Sequence, residues 1–302
     1  GGYWADFVYD GNKTIGYQGK VWHINPSRKS SKSKKYYKNI KDLPEVPDCV
    51  YLAVSRDQTV KLIKDISDIG VGGTVCLASR FSELNSKEGT NKTNELIRNA
   101  GKMPFLGPNC YGFINYLDRI SVWSDQVAGK PTKKGVAIIC QSGTIGNTIS
   151  FNNRSLPIGY IISLGNQSQI TIEDAINYAL DDKRVTAIGI YAESFNNTEK
   201  LIKVFKKSRL KKIPIALVKV GRSRTASQTI LTHTGSLSGK EDIYDSLFQR
   251  MGVARCNTLG ELCEILKLFH THGVLNNDKI LIMGPSGGDM AMIGDVAETL
   301  SL

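Results

Sequence analysis

One histidine in this sequence stands in a setting that suits phosphoryl chemistry. In Leu231-Thr232-His233-Thr234-Gly235-Ser236-Leu237-Ser238-Gly239 the imidazole is surrounded by hydroxyl and glycine residues, with a helical pattern from Glu241 to Met251 behind it. Glycine lets backbone amides approach an anion, hydroxyls donate to phosphate oxygens, and a helix N-terminus favours negative charge. A neutral imidazole placed there is a nucleophile for a phosphoryl group. The same composition also makes an ordinary capped turn, so the loop alone leaves both readings open.

Two further stretches offer partners for that chemistry. Val136 to Cys140 is an apolar run that leads into Gln141-Ser142-Gly143-Thr144-Ile145-Gly146. Strand, small polar loop and helix is a geometry in which Ser142, Gly143 and Thr144 hold a phosphate on backbone amides. It is not a Walker loop, since Gly-Lys-Ser/Thr is missing, and Ser-Gly-Thr also simply caps helices. Glu193 ends the apolar run Val185 to Ala192. A carboxylate there could take one imidazole N–H and leave the other ring nitrogen free; a solvated loop acid is the alternative. Of the remaining histidines, His23 lies on an apolar strand and reads as packing, while His270 and His272 suit a helix C-terminus.

The elements that must position these residues alternate along the chain. A short strand from Lys20 stops at Asn25-Pro26, and strand Cys49 to Val54 precedes helix Gln58 to Ile69. Strand Thr74 to Ala78, helix Asn91 to Ala100 and strand Met103 to Leu106 follow, ending in Gly107-Pro108-Asn109-Cys110-Tyr111-Gly112. Such alternation predicts a parallel sheet with right-handed crossovers. Ligands bind outside the carboxyl ends of such strands. There stand Asn25-Pro26, Val54-Ser55, Ala78-Ser79 and Gly107-Pro108-Asn109; singly each is a turn, and together they make one edge.

After the basic, proline-marked Pro131-Thr132-Lys133-Lys134-Gly135, a second unit alternates through strands 136–140, 158–164, 185–192, 213–218 and 253–256, with helices 171–180, 199–208, 241–251 and 259–270. A third strand-loop-helix begins at Lys279 to Met283, runs through Gly284-Pro285-Ser286-Gly287-Gly288 and continues as helix Asp289 to Leu300. One such unit cannot cover both faces of a strand, so it reads as the start of a further domain.

Bulk properties exclude several classes. No apolar run approaches the ~20 residues of a membrane span, which argues against a membrane protein. The net charge of +11 would suit nucleic acid, but the excess lies in two lysine-rich segments, 28–41 and 200–212. Solvated faces or a polyanionic small molecule explain these as well, and no nucleic-acid partner is expected. Six scattered cysteines without Cys-x-x-Cys or metal spacing read as reduced thiols in a cytoplasmic protein, and no metal site is expected. The chain opens without Met or a leader, so its true N-terminus is expected to be missing; either an opening strand with its Gly-rich loop was lost with it, Gly1-Gly2 being the remnant, or this is no dinucleotide fold.

In the order Gly107-Pro108-Asn109-Cys110-Tyr111-Gly112, Gln141-Ser142-Gly143-Thr144-Ile145-Gly146, Ser163-Leu164-Gly165-Asn166, Tyr191-Ala192-Glu193 and His233-Thr234-Gly235-Ser236-Leu237-Ser238-Gly239, the chain resembles NDP-forming acyl-CoA synthetases, related to the succinyl-CoA synthetase alpha subunit. The resemblance implies an α/β protein: a Rossmann-like CoA-binding domain at 1–130, a flavodoxin-like, succinyl-CoA synthetase-like domain at 131–275, and the start of a third α/β domain at 276–302. It implies that His233 is phosphorylated in turnover and oriented by Glu193. Phosphate would lie on Ser142, Gly143 and Thr144, with Gly235 and Ser236. CoA would lie across Asn25, Pro26, Val54, Ser55, Ala78, Ser79, Gly107, Pro108 and Asn109. The family usually has proline where Ser55 stands. The implied reaction interconverts acyl-CoA, phosphate and ADP with carboxylic acid, CoA and ATP through acyl phosphate and phosphohistidine. ADP/ATP with Mg2+ would bind outside this chain, on an ATP-grasp domain or beta subunit, and the assembly would be oligomeric. The alternatives are a regulatory module of a protein acetyltransferase and a non-catalytic acyl-CoA sensor.

Overall fold

The structure is a computed structural model that describes residues 2–31, 34–223, 225–226, 241–275, 279 and 281–299. His233, Gly235 and Ser236 lie outside the described residues. Two parallel-stranded units face each other through the loops at their carboxyl ends.

The first unit is small. Strands β3 (Cys49–Leu52), β4 (Gly73–Cys76) and β5 (Phe105–Leu106) form a parallel sheet in that order. Helix α2 (Arg56–Asp68) buries Thr59, Val60, Ile63 and Ile66, a set at i, i+1, i+4 and i+7 that shares one face. Helix α3 (Lys87–Ala100) starts at Ser86, whose hydroxyl accepts the Gly89 N–H, and buries Thr93, Leu96 and Ala100. These faces, with Leu52, Phe81 and Phe105, make one core. Beside it β1 (His23–Ile24) pairs in parallel with β2 (Tyr36–Tyr37), so the expected strand near Asn25 is only two residues long. His23 packs between the rings of Tyr9 and Tyr36, as a packing residue would.

The second unit is a seven-stranded sheet whose strands lie in the order 254–255, 215–219, 185–192, 135–140, 158–163, 112–115 and 120–123. Its parallel part comprises β8 (Gly135–Cys140), β9 (Ile158–Ser163), β10 (Val185–Ala192), β11 (Ile215–Lys219) and β12 (Ala254–Arg255). Every residue of β8, β9 and β11 is buried, because helices cover both faces. Helices α5 (Ile172–Asp181), α6 (Thr198–Lys211) and α7 (Glu241–Met251) pack one face through Ile172, Ile176, Leu201, Phe205 and Phe248. On the other lie α1 (Gly2–Ile15), α4 (Gly143–Ser150) and α8 (Leu259–His272), through Ile15, Ile149, Leu262 and Leu266.

Three differences from the sequence expectations stand out. The hairpin β6 (Gly112–Asn115) and β7 (Ile120–Trp123) precedes residue 131 yet belongs to the larger sheet, because β6 pairs antiparallel with β9. The boundary expected at 130/131 therefore does not separate the two sheets. Helix α1, unforeseen in the sequence, is held to that hairpin by buried Asn12, whose amide donates to the Ser121 carbonyl at 2.5 Å and accepts the Ser121 N–H at 2.9 Å. The strand expected at 279–283 does not form among the described residues: Lys279 and 281–284 have no ladder, and Leu281 and Met283 are exposed. Among the described residues no strand pairs with them. Helix α9 (Gly287–Thr299) follows.

Candidate functional site

The larger sheet ends in loops that converge on one cavity. At the end of β8 the chain passes through Gln141 and Ser142 into α4, and the Ser142 hydroxyl accepts the Ile145 N–H at 3.4 Å. The first amides of a helix have no intrahelical carbonyl to bond, so those of Gly143 and Thr144 open the helix toward an anion. Glycine is required here by contact: a Cβ on Gly143 would fall 2.3 Å from the Tyr111 ring. Ser142, Gly143, Thr144 and Tyr111 line a cavity of about 140 Å³.

Glu193 enters the same cavity from the neighbouring strand β10, which pairs in register with β8 through Tyr191 and Cys140. The carboxylate is buried, at 5% exposure. Its backbone is held by Gln141, whose amide oxygen accepts the N–H of Glu193 and, at 2.8 Å, that of Ser194. The Gln141 amide nitrogen donates to the Ser194 hydroxyl at 3.3 Å. One side chain thus ties the strand that begins the phosphate-type helix to the strand that carries the acid.

The first unit closes the cavity from the other side. The Gly107-Pro108 bond is cis, and the Asn109 N–H donates to the Ala78 carbonyl at 2.9 Å, joining the ends of β4 and β5. Across the junction, the N–H groups of Asn166 and Ser168 donate to the carbonyls of Pro108 and Gly107 at 3.0 and 3.1 Å. Gly165, at φ +53°, lies so close that an added Cβ would sit 2.3 Å from the Asn109 carbonyl oxygen. The Asn109 amide donates to Asn166 Oδ1 at 3.3 Å, and the Asn166 amide donates to Glu83 at 2.5 Å. Cys110 lines the cavity as well, but burial pushes its thiol up to about 12, which removes it as a nucleophile at neutral pH.

The structure therefore gathers Ser142, Gly143, Thr144, Glu193 and Asn109 of the expected site. The other expected CoA residues mark strand ends rather than the cavity wall. Val54 and Ser55 follow β3, Ala78 and Ser79 follow β4, and Gly107 and Pro108 follow β5, along one edge of the small sheet. Asn25 and Pro26 follow β1, in the separate pair, where the Asn25 side chain accepts the N–H groups of Ser27 and Arg28 at 3.0 and 3.1 Å. Gln141, Tyr111 and Asn166 were not assigned roles from sequence. All three stand within the motifs that carry the resemblance, and that is the signal the sequence offers for them. Among the described residues, no group of three His, Cys, Asp or Glu side chains is placed to hold a metal ion, and no helix is long and apolar enough to cross a membrane.

Residues 133–269 match the family described as succinyl-CoA ligase like flavodoxin domain, and residues 5–116 match that described as CoA binding domain. The chain is 31% identical over 281 residues to the ADP-forming acetate–CoA ligase of Methanocaldococcus jannaschii, covering 92% of this chain and 39% of that protein. It is 32% identical over 282 residues to the alpha subunit of ADP-forming acetate–CoA ligase II of Pyrococcus furiosus, covering 92% of this chain and 60% of that one. The solved dinucleotide forming acetyl-coenzyme A synthetase 1 of Ca. Korarchaeum cryptofilum, in complex with phosphate and ADP, superposes with a TM-score of 0.85 at 25% identity, covering 97% of this chain and 63% of that one. The chain thus spans less than two thirds of each of these proteins.

Proposed function

We propose that this chain, which joins a CoA binding domain to a succinyl-CoA ligase like flavodoxin domain, supplies the CoA-binding and phosphohistidine half of an ADP-forming acyl-CoA synthetase, the class to which the relatives above belong. The whole reaction interconverts acyl-CoA, phosphate and ADP with a carboxylic acid, CoA and ATP. The observation that carries this reading is the shared cavity: the Ser142–Thr144 helix start and buried Glu193 face it from one unit, and Asn109 faces it from the other.

Phosphate binds at the amides of Gly143 and Thr144, where the helix end favours its charge. One of its oxygens attacks the thioester carbonyl of acyl-CoA, the C–S bond breaks, and CoA leaves as thiolate, which takes up a proton. The acyl phosphate then meets His233. Its neutral imidazole attacks phosphorus; the P–O bond breaks and carboxylate departs. Glu193 takes the imidazole N–H on the far side, which fixes the tautomer and stabilises the positive charge as it forms. CoA lies along the ends of β3, β4 and β5, from Val54-Ser55 through Ala78-Ser79 to Gly107-Pro108, with Asn25-Pro26 near its nucleotide end. Gly235 and Ser236 complete the phosphate contacts.

Phosphohistidine passes its phosphoryl group to ADP, held with Mg2+ on an ATP-grasp domain or beta subunit outside this chain, within an oligomeric cytoplasmic assembly. The relatives named above are ligases, which does not favour the regulatory-module or sensor alternatives. Full-length protein given acetyl-CoA and phosphate without ADP should release a stoichiometric amount of CoA thiol and then stop. CoA binding with no phosphate-dependent thiol release would contradict the ligase reading.

A further inference from the structure

One cation at the carboxyl edge of the small sheet is used by none of these steps. Residues 77–80 lead from β4 to the 3-10 turn Ser82–Leu84. Arg80 stands there at φ +73°, in the left-handed region that side chains other than asparagine and aspartate seldom enter. Among the described residues two other basic ones share that sign of φ, each with a local reason. Lys212 caps the C-terminus of α6, and Arg119 lies in the turn between β6 and β7. Arg80 caps no helix and turns no hairpin.

Its backbone is held there from both sides. The Arg80 N–H donates to Glu83 Oε1, and its carbonyl accepts Nη1 of Arg56 at 3.1 Å. Glu83 Oε2 takes the Phe81 N–H at 3.0 Å and, from the other unit, the Asn166 amide at 2.5 Å. A strained φ persists only where its surroundings over-determine it, and such outliers gather at ligand clamps. The side chain is treated differently: the guanidinium is exposed and has no hydrogen bond or ion pair among the described residues. Arg56, the other cation at this turn, is already paired with Glu88 and Asp57. Arg80 is thus the charge left to meet an anion.

We propose that Arg80 is a CoA-binding residue whose guanidinium pairs with the diphosphate joining the pantetheine arm to the nucleotide, while Glu83 and Arg56 clamp its backbone at the strand end. The role rests on the functional reading above. Arg80 follows β4, the middle strand of the three whose ends form the edge. The preceding Ala78 carbonyl accepts the N–H of Asn109, which lines the cavity. A CoA with its thioester in that cavity and its nucleotide outside carries its diphosphate between the two, past the end of β4. A guanidinium matches a phosphate with two parallel N–H donors, which an ammonium cannot do.

The test is equilibrium binding of CoA, dephospho-CoA and pantetheine to full-length protein, to Arg80→Gly and to Arg80→Lys. Glycine enters the left-handed region freely, so Arg80→Gly should keep the parental thermal midpoint. Its Kd for CoA should rise about 10-fold, the scale of one hydrogen bond to a charged group. Dephospho-CoA keeps the diphosphate without the 3′-phosphate and should weaken by the same factor, whereas pantetheine, which lacks both, should bind the two proteins alike. Arg80→Lys should fall between. A loss with CoA that dephospho-CoA does not share would put Arg80 on the 3′-phosphate and overturn the assignment. An unchanged Kd for CoA, or an equal loss with pantetheine, would overturn the role altogether. A parent that binds no CoA would instead overturn the functional reading itself.

Discussion

The amide oxygen of Gln141 accepts the backbone N–H of Glu193, so the residue that precedes the phosphate-type helix also holds the buried acid of the neighbouring strand. Replacing it with leucine leaves the N–H groups of Glu193 and Ser194 buried without that acceptor. Gln141→Leu should cost about 1–3 kcal/mol of stability and lower turnover about 100-fold through displacement of the acid. Thermal unfolding and kcat, measured with CoA affinity as control, check both. Parental turnover would mean that Glu193 does not need this support.

The contact between Gly143 and Tyr111 gives a second expectation. In Gly143→Ala the new methyl group meets the Tyr111 ring at 2.3 Å unless the ring moves. The variant should lose about 1–3 kcal/mol, the usual cost of overpacking, and bind phosphate more weakly. Adding Tyr111→Leu should restore part of both. The paired measurement is the thermal midpoint and the KM for phosphate; no recovery in the double variant would place the clash elsewhere.

The junction between the units depends on Gly165. Its φ of +53° and its approach to the carbonyls of Pro108 and Asn109 leave no room for a side chain. These neighbours are backbone and cannot swing away. Gly165→Ala should therefore cost about 2 kcal/mol or more and weaken CoA-dependent turnover by shifting Asn109 against Asn166. Unchanged stability would show that the loop following β9 repacks freely.

Away from the site, Asp182 makes a prediction with a defined pH window. The Arg184 guanidinium, and then the Tyr160 hydroxyl at 2.6 Å, hold its carboxyl down at about 2 against burial. A depressed folded pKa stabilises above the unfolded value of about 3.9 and is lost as pH falls through about 2. With Arg184 partly exposed, the net effect should be about 1 kcal/mol. Asp182→Asn should show that deficit from pH 4 upward and converge with the parent toward about pH 2. A deficit independent of pH would point to lost packing instead.

The parts of the fold that were legible in sequence are those set by local patterning. The run Val136 to Cys140 reads as a buried strand because both of its faces are covered, and Glu241 to Met251 matches its helix end to end. What was not legible depends on distant partners. The hairpin 112–123 has no sheet of its own and is recruited by β9. Helix α1 is secured by Asn12 on Ser121, which no local pattern announces. Likewise, the Ser-Gly-Thr start and the acid after a strand were visible as types, whereas Gln141 acquires its role only when β8 and β10 lie side by side. The strand expected at 279–283 shows the converse, an apolar run that pairs with no strand among the described residues.

The central claim, that this chain carries a phosphoryl group on His233, is tested most directly by chemical analysis of the labelled protein. Full-length protein incubated with acetyl-CoA and labelled phosphate should yield phosphoprotein that is stable to base and labile to acid, and that discharges its label on addition of ADP with the nucleotide-binding half. His233→Ala should carry none while binding CoA as the parent does. Label that survives in His233→Ala, or a parent that binds CoA and acquires no label, would contradict the account.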